Sequence, residues 1–212
     1  MLIAAAFAMM AAADPAPAAA PSVPAMVVHV AVESHVSPGL VTALLAETDT
    51  VWRQTGITFV WQRERVAADA RYCTPAVLHV RIGNDVHPSP ENRVSLGWIV
   101  FDDAGVPERE IYLSHTNALA FFERSQSVVG TIDAMPRLQR ETLLARAMGR
   151  ALAHELGHYL SASKVHSKAG LMMAVHSAAE LFAPERSRFK IPPDERQQMV
   201  ARFTSIYMAS RG

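Results

Sequence analysis

The sequence is poor in cysteine and has no excess charge of either sign. Its single cysteine, Cys73, excludes an internal disulfide. The 20 basic residues balance the 20 acidic ones, so charge gives no reason to expect nucleic acid or an anionic membrane as a partner. Half of the residues are hydrophobic and 19% are charged, which is typical of a folded globular domain. A chain of 212 residues can bury a core without disulfides.

The sequence also lacks an apolar run long enough to cross a bilayer. Residues 2–13 (LIAAAFAMMAAA) form a run of twelve, whereas a membrane-spanning helix needs about twenty. This length, with alanines at positions 11 and 13, is typical of a secretory signal peptide, although no Lys or Arg precedes the run. We therefore expect residues 1–13 to be a signal peptide, the protein to be secreted or periplasmic, and no membrane segment to remain. The alternative is an alanine-rich tail.

Residues 14–25 (DPAPAAAPSVPA) separate this run from the rest of the chain. They contain four prolines and few side chains that a core could bury, which is typical of an extended spacer. We therefore expect one folded domain over residues 26–212.

Within this domain, strand-like and helix-like segments alternate. Short runs rich in β-branched residues predict strands at residues 26–33, 57–63, 77–82, 95–102 and 109–115. Apolar residues at spacings of three and four predict helices that begin at Pro38 and that cover residues 136–160 and 192–210. The order of these elements predicts an α+β fold with helices packed on one sheet.

The segment HELGHYLSASKVHSKAGLMM (residues 154–173) contains three histidines. His154 and His158 are four residues apart in a predicted helix, so their side chains project from one face, one turn apart. Two imidazoles so placed can bind one Zn²⁺ at about 2.0–2.1 Å. Glu155 is rotated by about 100° and is better placed to accept a proton from water, as in H-E-x-x-H zinc hydrolases. The alternative is a structural histidine pair without metal.

A catalytic zinc site needs a third protein ligand and an open position. His166 is one candidate, because the polar residues after His158 indicate that the helix ends there and the chain can turn back. Glu180 is the other candidate and belongs to a short predicted helix through HSAAELF. A neutral imidazole suits zinc well, which favours His166.

This segment resembles the zinc-binding helix, third histidine and Met-turn of the metzincin metallopeptidases. Their pattern is H-E-x-x-H-x-x-G-x-x-H, followed by a tight turn with a methionine beneath the metal. His154, Glu155 and His158 match the pattern directly, and Met172 in GLM matches the Met-turn. His176 follows this turn closely and could support the site from outside.

The segment departs from the metzincin pattern at two positions. Ser161 stands at the usual glycine and Lys164 at the usual third histidine. We interpret this as two additional residues before His166, which add up to about 7 Å of reach. A longer connection is expected to avoid the positive-φ bend that normally requires glycine.

The resemblance implies a metzincin-like fold with a twisted, mostly parallel five-stranded sheet, a backing helix, an active-site helix and a C-terminal helix. It also implies that segment 95–102 is an edge strand that pairs with an extended peptide, with Leu96, Gly97 and Trp98 as candidate contacts. The alternative for Trp98 is a packing role.

The sequence therefore predicts a zinc metallopeptidase. Zn²⁺ on His154, His158 and His166 is expected to activate water, with Glu155 as the base and a protein or peptide as substrate. Two alternatives stay open: a non-catalytic zinc- or peptide-binding domain on the same fold, and a hydrolase with Glu180 as the third ligand.

Overall fold

The structure is a computed structural model that describes residues 25–64, 78–84 and 95–209. The expected signal peptide, nearly all of the spacer and Cys73 lie outside the described residues. The predicted domain boundaries at residues 13 and 25 therefore stay predictions.

The described residues form a mixed succession of strands and helices. In chain order these are β1 (Met26–Val32), α1 (Pro38–Trp52), β2 (Phe59–Glu64), β3 (Leu78–Gly83), β4 (Gly97–Phe101), β5 (Pro107–Ser114), α2 (His115–Arg124), α3 (Gln126–Val129), α4 (Arg137–Ser161), α5 (Ala178–Phe182) and α6 (Pro193–Ala209). All five predicted strands and the three long predicted helices are present, with small shifts at their ends. None of the described helices is both long and apolar enough to cross a membrane.

Helices α2 and α3 are absent from the sequence-based prediction. The strand-like pattern of residues 109–115 extends to His115, which in the structure already belongs to α2. Ser114 ends β5, and its side-chain oxygen accepts a hydrogen bond from the N–H of Asn117 at 3.1 Å. One serine thus ends the strand and caps the helix, so no loop separates the two patterns.

The five strands form one sheet in the order β2-β1-β3-β5-β4. The pairs β1–β2, β1–β3 and β3–β5 are parallel, whereas β4 runs antiparallel to β5. β4 therefore lies at one edge of the sheet, next to β5, and runs antiparallel to the other four strands. The predicted mostly parallel five-stranded sheet is confirmed.

The helices α1 and α4 pack closely against each other. The indole N–H of Trp52 donates to the carbonyl of Ala153 at 3.2 Å, and the hydroxyl of Thr48 donates to the carbonyl of Gly149 at 3.0 Å. Leu152 and Leu156 of α4 are fully buried in the core. Burial of these apolar side chains fixes α4 against the rest of the domain, since each contributes roughly 1.5–3 kcal/mol.

Candidate metal centre

His154 and His158 face each other on the last two turns of α4. Their ring centroids are 4.6 Å apart, and their Nε2 atoms are 2.9 Å apart. His158 is buried, and His154 is half-buried. The helical spacing of four residues accounts for this arrangement, since it places both side chains on one face.

The other ring nitrogen of each histidine fixes its tautomer. Nδ1 of His154 is 2.8 Å from the carbonyl oxygen of Leu171, and Nδ1 of His158 is 2.6 Å from that of Ser163. A carbonyl can only accept, so both Nδ1 atoms carry a proton and both Nε2 atoms of the neutral rings offer a lone pair. Two lone pairs 2.9 Å apart repel unless a cation lies between them. The donor set therefore fits a metal ion.

The structure brings His166 to the same place. One ligand atom from each of His154, His158 and His166 lies within 4.8 Å of the others. The ring centroid of His166 is 5.3 Å from that of His154 and 4.9 Å from that of His158. His166 is exposed, so this side of the cluster faces solvent. Three imidazole nitrogens with a solvent-facing side match the ligand set of a catalytic zinc site.

The chain turns back from α4 at Ala162. Its φ is 47°, in the left-handed region, and its N–H bonds with the last turn of the helix. The expectation that the longer connection avoids a positive-φ bend is therefore wrong. The reversal still needs the left-handed conformation; here an alanine adopts it, at a cost of about 1–3 kcal/mol.

Met172 packs beneath the motif helix. It is buried, and a Cβ atom added to Gly157 would overlap the sulfur of Met172. Gly157 lies directly before His158, so the missing side chain allows the methionine to approach the helix between the two ligands. The role of Gly157 was not predicted from the sequence. The sequence feature that could have revealed this role is a glycine inside a predicted helix. Such a glycine costs about 1 kcal/mol relative to alanine, which indicates a packing requirement.

Glu155 is buried beside β4 rather than among the imidazoles. Burial raises the pKa of its carboxyl group to about 8, and the N–H of Ile99 donates a hydrogen bond to it. A Cβ atom added to Gly97 would lie 3.4 Å from Cγ of Glu155. The carboxyl group therefore lies next to the edge strand, and a nearby cation would favour its ionised form.

Burial also keeps the two helix-borne imidazoles neutral. It lowers the pKa of His154 to about 3, with a further contribution from His158. Burial likewise lowers the pKa of His158. Neutral imidazole is the form that binds metal, so the protein presents these ligands without first having to remove protons.

The three candidate peptide contacts on β4 differ in accessibility. Leu96 is half-buried and Gly97 is buried. Trp98 is only 7% exposed, and its ring stacks on Tyr112 with a centroid distance of 5.6 Å. The burial and stacking of Trp98 favour the packing role over contact with a peptide.

Glu180 does not belong to the histidine cluster. Its carboxylate accepts hydrogen bonds from the N–H of Ser177 at 2.9 Å and the hydroxyl of Ser177 at 3.0 Å, so it caps its own short helix. It also pairs with Arg188 at 3.4 Å. This engagement argues against Glu180 as the third ligand. His176 contacts the site indirectly, with Nε2 3.4 Å from the same Leu171 carbonyl that binds His154.

Among the comparisons with known proteins, only the search of solved structures gives similar proteins, and the likeness is distant. No protein-family model matches this chain, and no curated protein does. Among solved structures, archaemetzincin from Methanopyrus kandleri is similar, with a TM-score of 0.47, 11% sequence identity, and coverage of 84% of this chain and 96% of that chain. A likeness this distant leaves the chemistry of the present chain to its own residues.

Proposed function

We propose that this protein is a zinc-dependent hydrolase of peptide bonds. One observation carries the proposal: the ligand atoms of three imidazoles lie within 4.8 Å of one another. His154, His158 and His166 would hold the ion. Zinc on such a site supplies Lewis acidity and lowers the pKa of bound water to about 7.

Glu155 is the proposed general base. Its burial keeps the carboxyl group away from bulk water, and its hydrogen bond from Ile99 holds it at the edge strand. In this position it would accept the proton of the attacking water and deliver it to the leaving amine. General acid–base catalysis of this kind contributes about 10²–10⁴-fold in rate.

The edge strand β4 is the proposed binding surface for substrate. An edge strand presents backbone groups that can pair with an extended peptide, and Glu155 lies against this strand. A peptide paired along β4 would thus run beside the base. Leu96 and Gly97 stay candidate contacts, while Trp98 would support the strand from within.

The first experiment compares Glu155→Gln with the wild type. The zinc-loaded proteins are incubated with a mixed library of quenched fluorescent peptides, and new termini are identified by mass spectrometry. We expect Glu155→Gln to bind zinc normally and to lose at least 100-fold in rate, on the order of the general-base contribution. The exposed Glu123 of α2 provides the control, because Glu123→Gln removes a carboxylate away from the motif.

The outcomes separate the alternatives. Cleavage that persists in Glu155→Gln would refute the assigned base. Zinc bound with no cleavage of any peptide by the wild type would favour the non-catalytic domain. Zinc content of His166→Ala and Glu180→Ala decides the third ligand: we expect loss only in the former.

We also propose that the protein is exported. The apolar run at residues 2–13 and the small residues at its end support this. Expression with its own N-terminus in a bacterium, followed by intact-mass measurement, tests the proposal. A mature protein that begins at Asp14 is expected, and an uncleaved cytoplasmic product would contradict export.

A further inference from the structure

His166 is held differently from the other two histidines. His154 and His158 project from a helix, and each has its Nδ1 atom bonded to a backbone carbonyl. His166 lies in an irregular segment and is exposed. Within the described part of the chain, its ring has ring contacts with His154 and His158 but no hydrogen bond. The position of this imidazole must therefore depend on how its backbone is anchored.

The next residue, Ser167, provides two anchors. Its N–H donates to the carbonyl of Met172 at 2.8 Å, which ties the segment to the turn beneath the cluster. Its hydroxyl donates to Oε1 of Glu195. Glu195 lies in the first turn of α6, and its Oε2 is buried without a hydrogen-bond partner among the described residues.

Helix α6 is itself fixed to the domain core. Its residues Met199 and Phe203 are 1% and 3% exposed and belong to the core cluster that also contains Leu152 and Leu156 of α4. The hydrogen bond between Ser167 and Glu195 thus connects the loop that carries His166 to the same packed unit that carries His154 and His158.

We infer that Ser167 and Glu195 form a positioning pair that holds the imidazole of His166 in the metal site. A histidine on a longer connection has more conformations to lose when it binds an ion. A hydroxyl bonded to a largely desolvated carboxylate restricts the backbone next to His166 before metal binds. The inference rests on the proposed function in one respect, that His166 is a ligand.

Glu195 has a second possible role, and its neighbour Asp194 provides the control that distinguishes the two roles. An acidic residue in the first turn of a helix also stabilises the helix dipole, and Asp194 is in the same turn. Asp194 is exposed, whereas Glu195 is half-buried and bonded to Ser167. Asp194→Ala therefore removes the same charge from α6 without touching the loop of His166.

The experiment measures zinc affinity by competition with a chromophoric chelator. The proteins are the wild type, Ser167→Ala, Glu195→Ala and the control Asp194→Ala, each also combined with His166→Ala. Mutation of a residue that supports a metal ligand typically lowers metal affinity by about 10–100-fold. We expect Ser167→Ala and Glu195→Ala to lose about this factor, and Asp194→Ala to bind as the wild type does. Glu195→Gln retains an acceptor for the hydroxyl and is expected to restore most of the affinity.

The combination with His166→Ala gives the decisive comparison. If the pair acts through His166, Ser167→Ala causes no further loss of zinc affinity once His166 is removed. An equal loss in both backgrounds would show a general structural effect and overturn the inference. Wild-type affinity in Ser167→Ala, with weak binding in His166→Ala, would overturn the inference but leave the proposed function intact. Wild-type affinity in His166→Ala would remove the basis of both.

Discussion

Gly157 is the residue at which helix propensity and packing oppose each other. It lies inside α4, where alanine would be favoured, but its missing side chain admits the sulfur of Met172. Gly39 in α1 is a useful contrast, because a Cβ atom there would have its nearest neighbours at 3.5 Å, which is ordinary van der Waals contact. Replacement of each glycine by alanine therefore separates the effect of packing from that of helix propensity.

Gly157→Ala is expected to destabilise the protein by about 1–3 kcal/mol, because the added methyl group displaces Met172. Gly39→Ala is expected to be neutral or stabilising by up to about 1 kcal/mol. Urea unfolding of both variants measures the difference. Equal stability of the two variants would show that Met172 adapts without cost and that Gly157 has no packing role.

Among the residues that the structure describes, Ala162 is the one non-glycine residue with a positive φ. Ala162→Gly is expected to stabilise the protein, since relief of about 1–3 kcal/mol of strain exceeds the roughly 0.4–1 kcal/mol of added unfolded-state entropy. The control is Ala201→Gly on the exposed face of α6, where glycine should cost about 1 kcal/mol. The urea midpoints of the two variants are expected to move in opposite directions. A shift in the same direction would mean that Ala162 is not strained.

At the scale of elements, α4 joins the site to the segment that follows it. Arg150, one turn before His154, is only 1% exposed, and its Nε–H donates to the carboxylate of Glu47 in α1 at 2.9 Å. Its guanidinium also donates to the carbonyls of Leu181 at 3.2 Å and Glu185 at 3.0 Å. A single guanidinium thus fastens three parts of the chain together, which the sequence analysis did not predict.

Arg150→Met is expected to destabilise the protein by about 3–5 kcal/mol, because it leaves Glu47 buried with less compensation. The exposed Arg140 in the same helix serves as control, and Arg140→Met should stay within about 0.5 kcal/mol of the wild type. Thermal unfolding of the metal-free proteins compares the two. A small effect for Arg150→Met would mean that Arg186, which also bonds Glu47, is sufficient.

At the scale of the whole molecule, two sets of buried titratable groups have opposite effects on stability as pH changes. Burial lowers the pKa of the imidazoles of His115, His154, His158 and His176. In acid the unfolded chain therefore takes up protons that the folded chain does not, and stability falls as pH drops below about 6.5. Burial raises the pKa of Glu155 to about 8. Between the ordinary pKa of 4.5 and this raised value, the folded chain holds a proton on Glu155 that the unfolded chain has lost. Stability therefore falls as pH rises toward 8.

Because four imidazoles act against one carboxyl group, the metal-free protein is expected to be most stable near about pH 7. Urea unfolding between pH 5 and pH 8.5, after zinc is removed with a chelator, gives the profile. Glu155→Gln should remove the decline toward pH 8 and steepen the rise on the acid side, because the carboxyl group opposes the imidazoles at every pH between its ordinary pKa of 4.5 and its folded pKa of about 8. A profile that rises steadily to pH 8.5 would contradict the burial of Glu155.

Zinc is expected to stabilise the whole molecule by an amount that grows with the logarithm of the zinc concentration above the dissociation constant. A ligand at 100 times its dissociation constant adds about 2.7 kcal/mol to the free energy of unfolding.

The sequence by itself determined the strands, the long helices and the pairing of His154 with His158. These follow from local periodicity, which needs no knowledge of distant residues. It could not determine the short helix α2, because Ser114 ends a strand and begins a helix without a loop. Only the tertiary structure brought His166 into the cluster, engaged Glu180 elsewhere and placed Glu155 against β4. These depend on backbone reversal at Ala162 and on contacts between residues far apart in the chain, which no local pattern encodes.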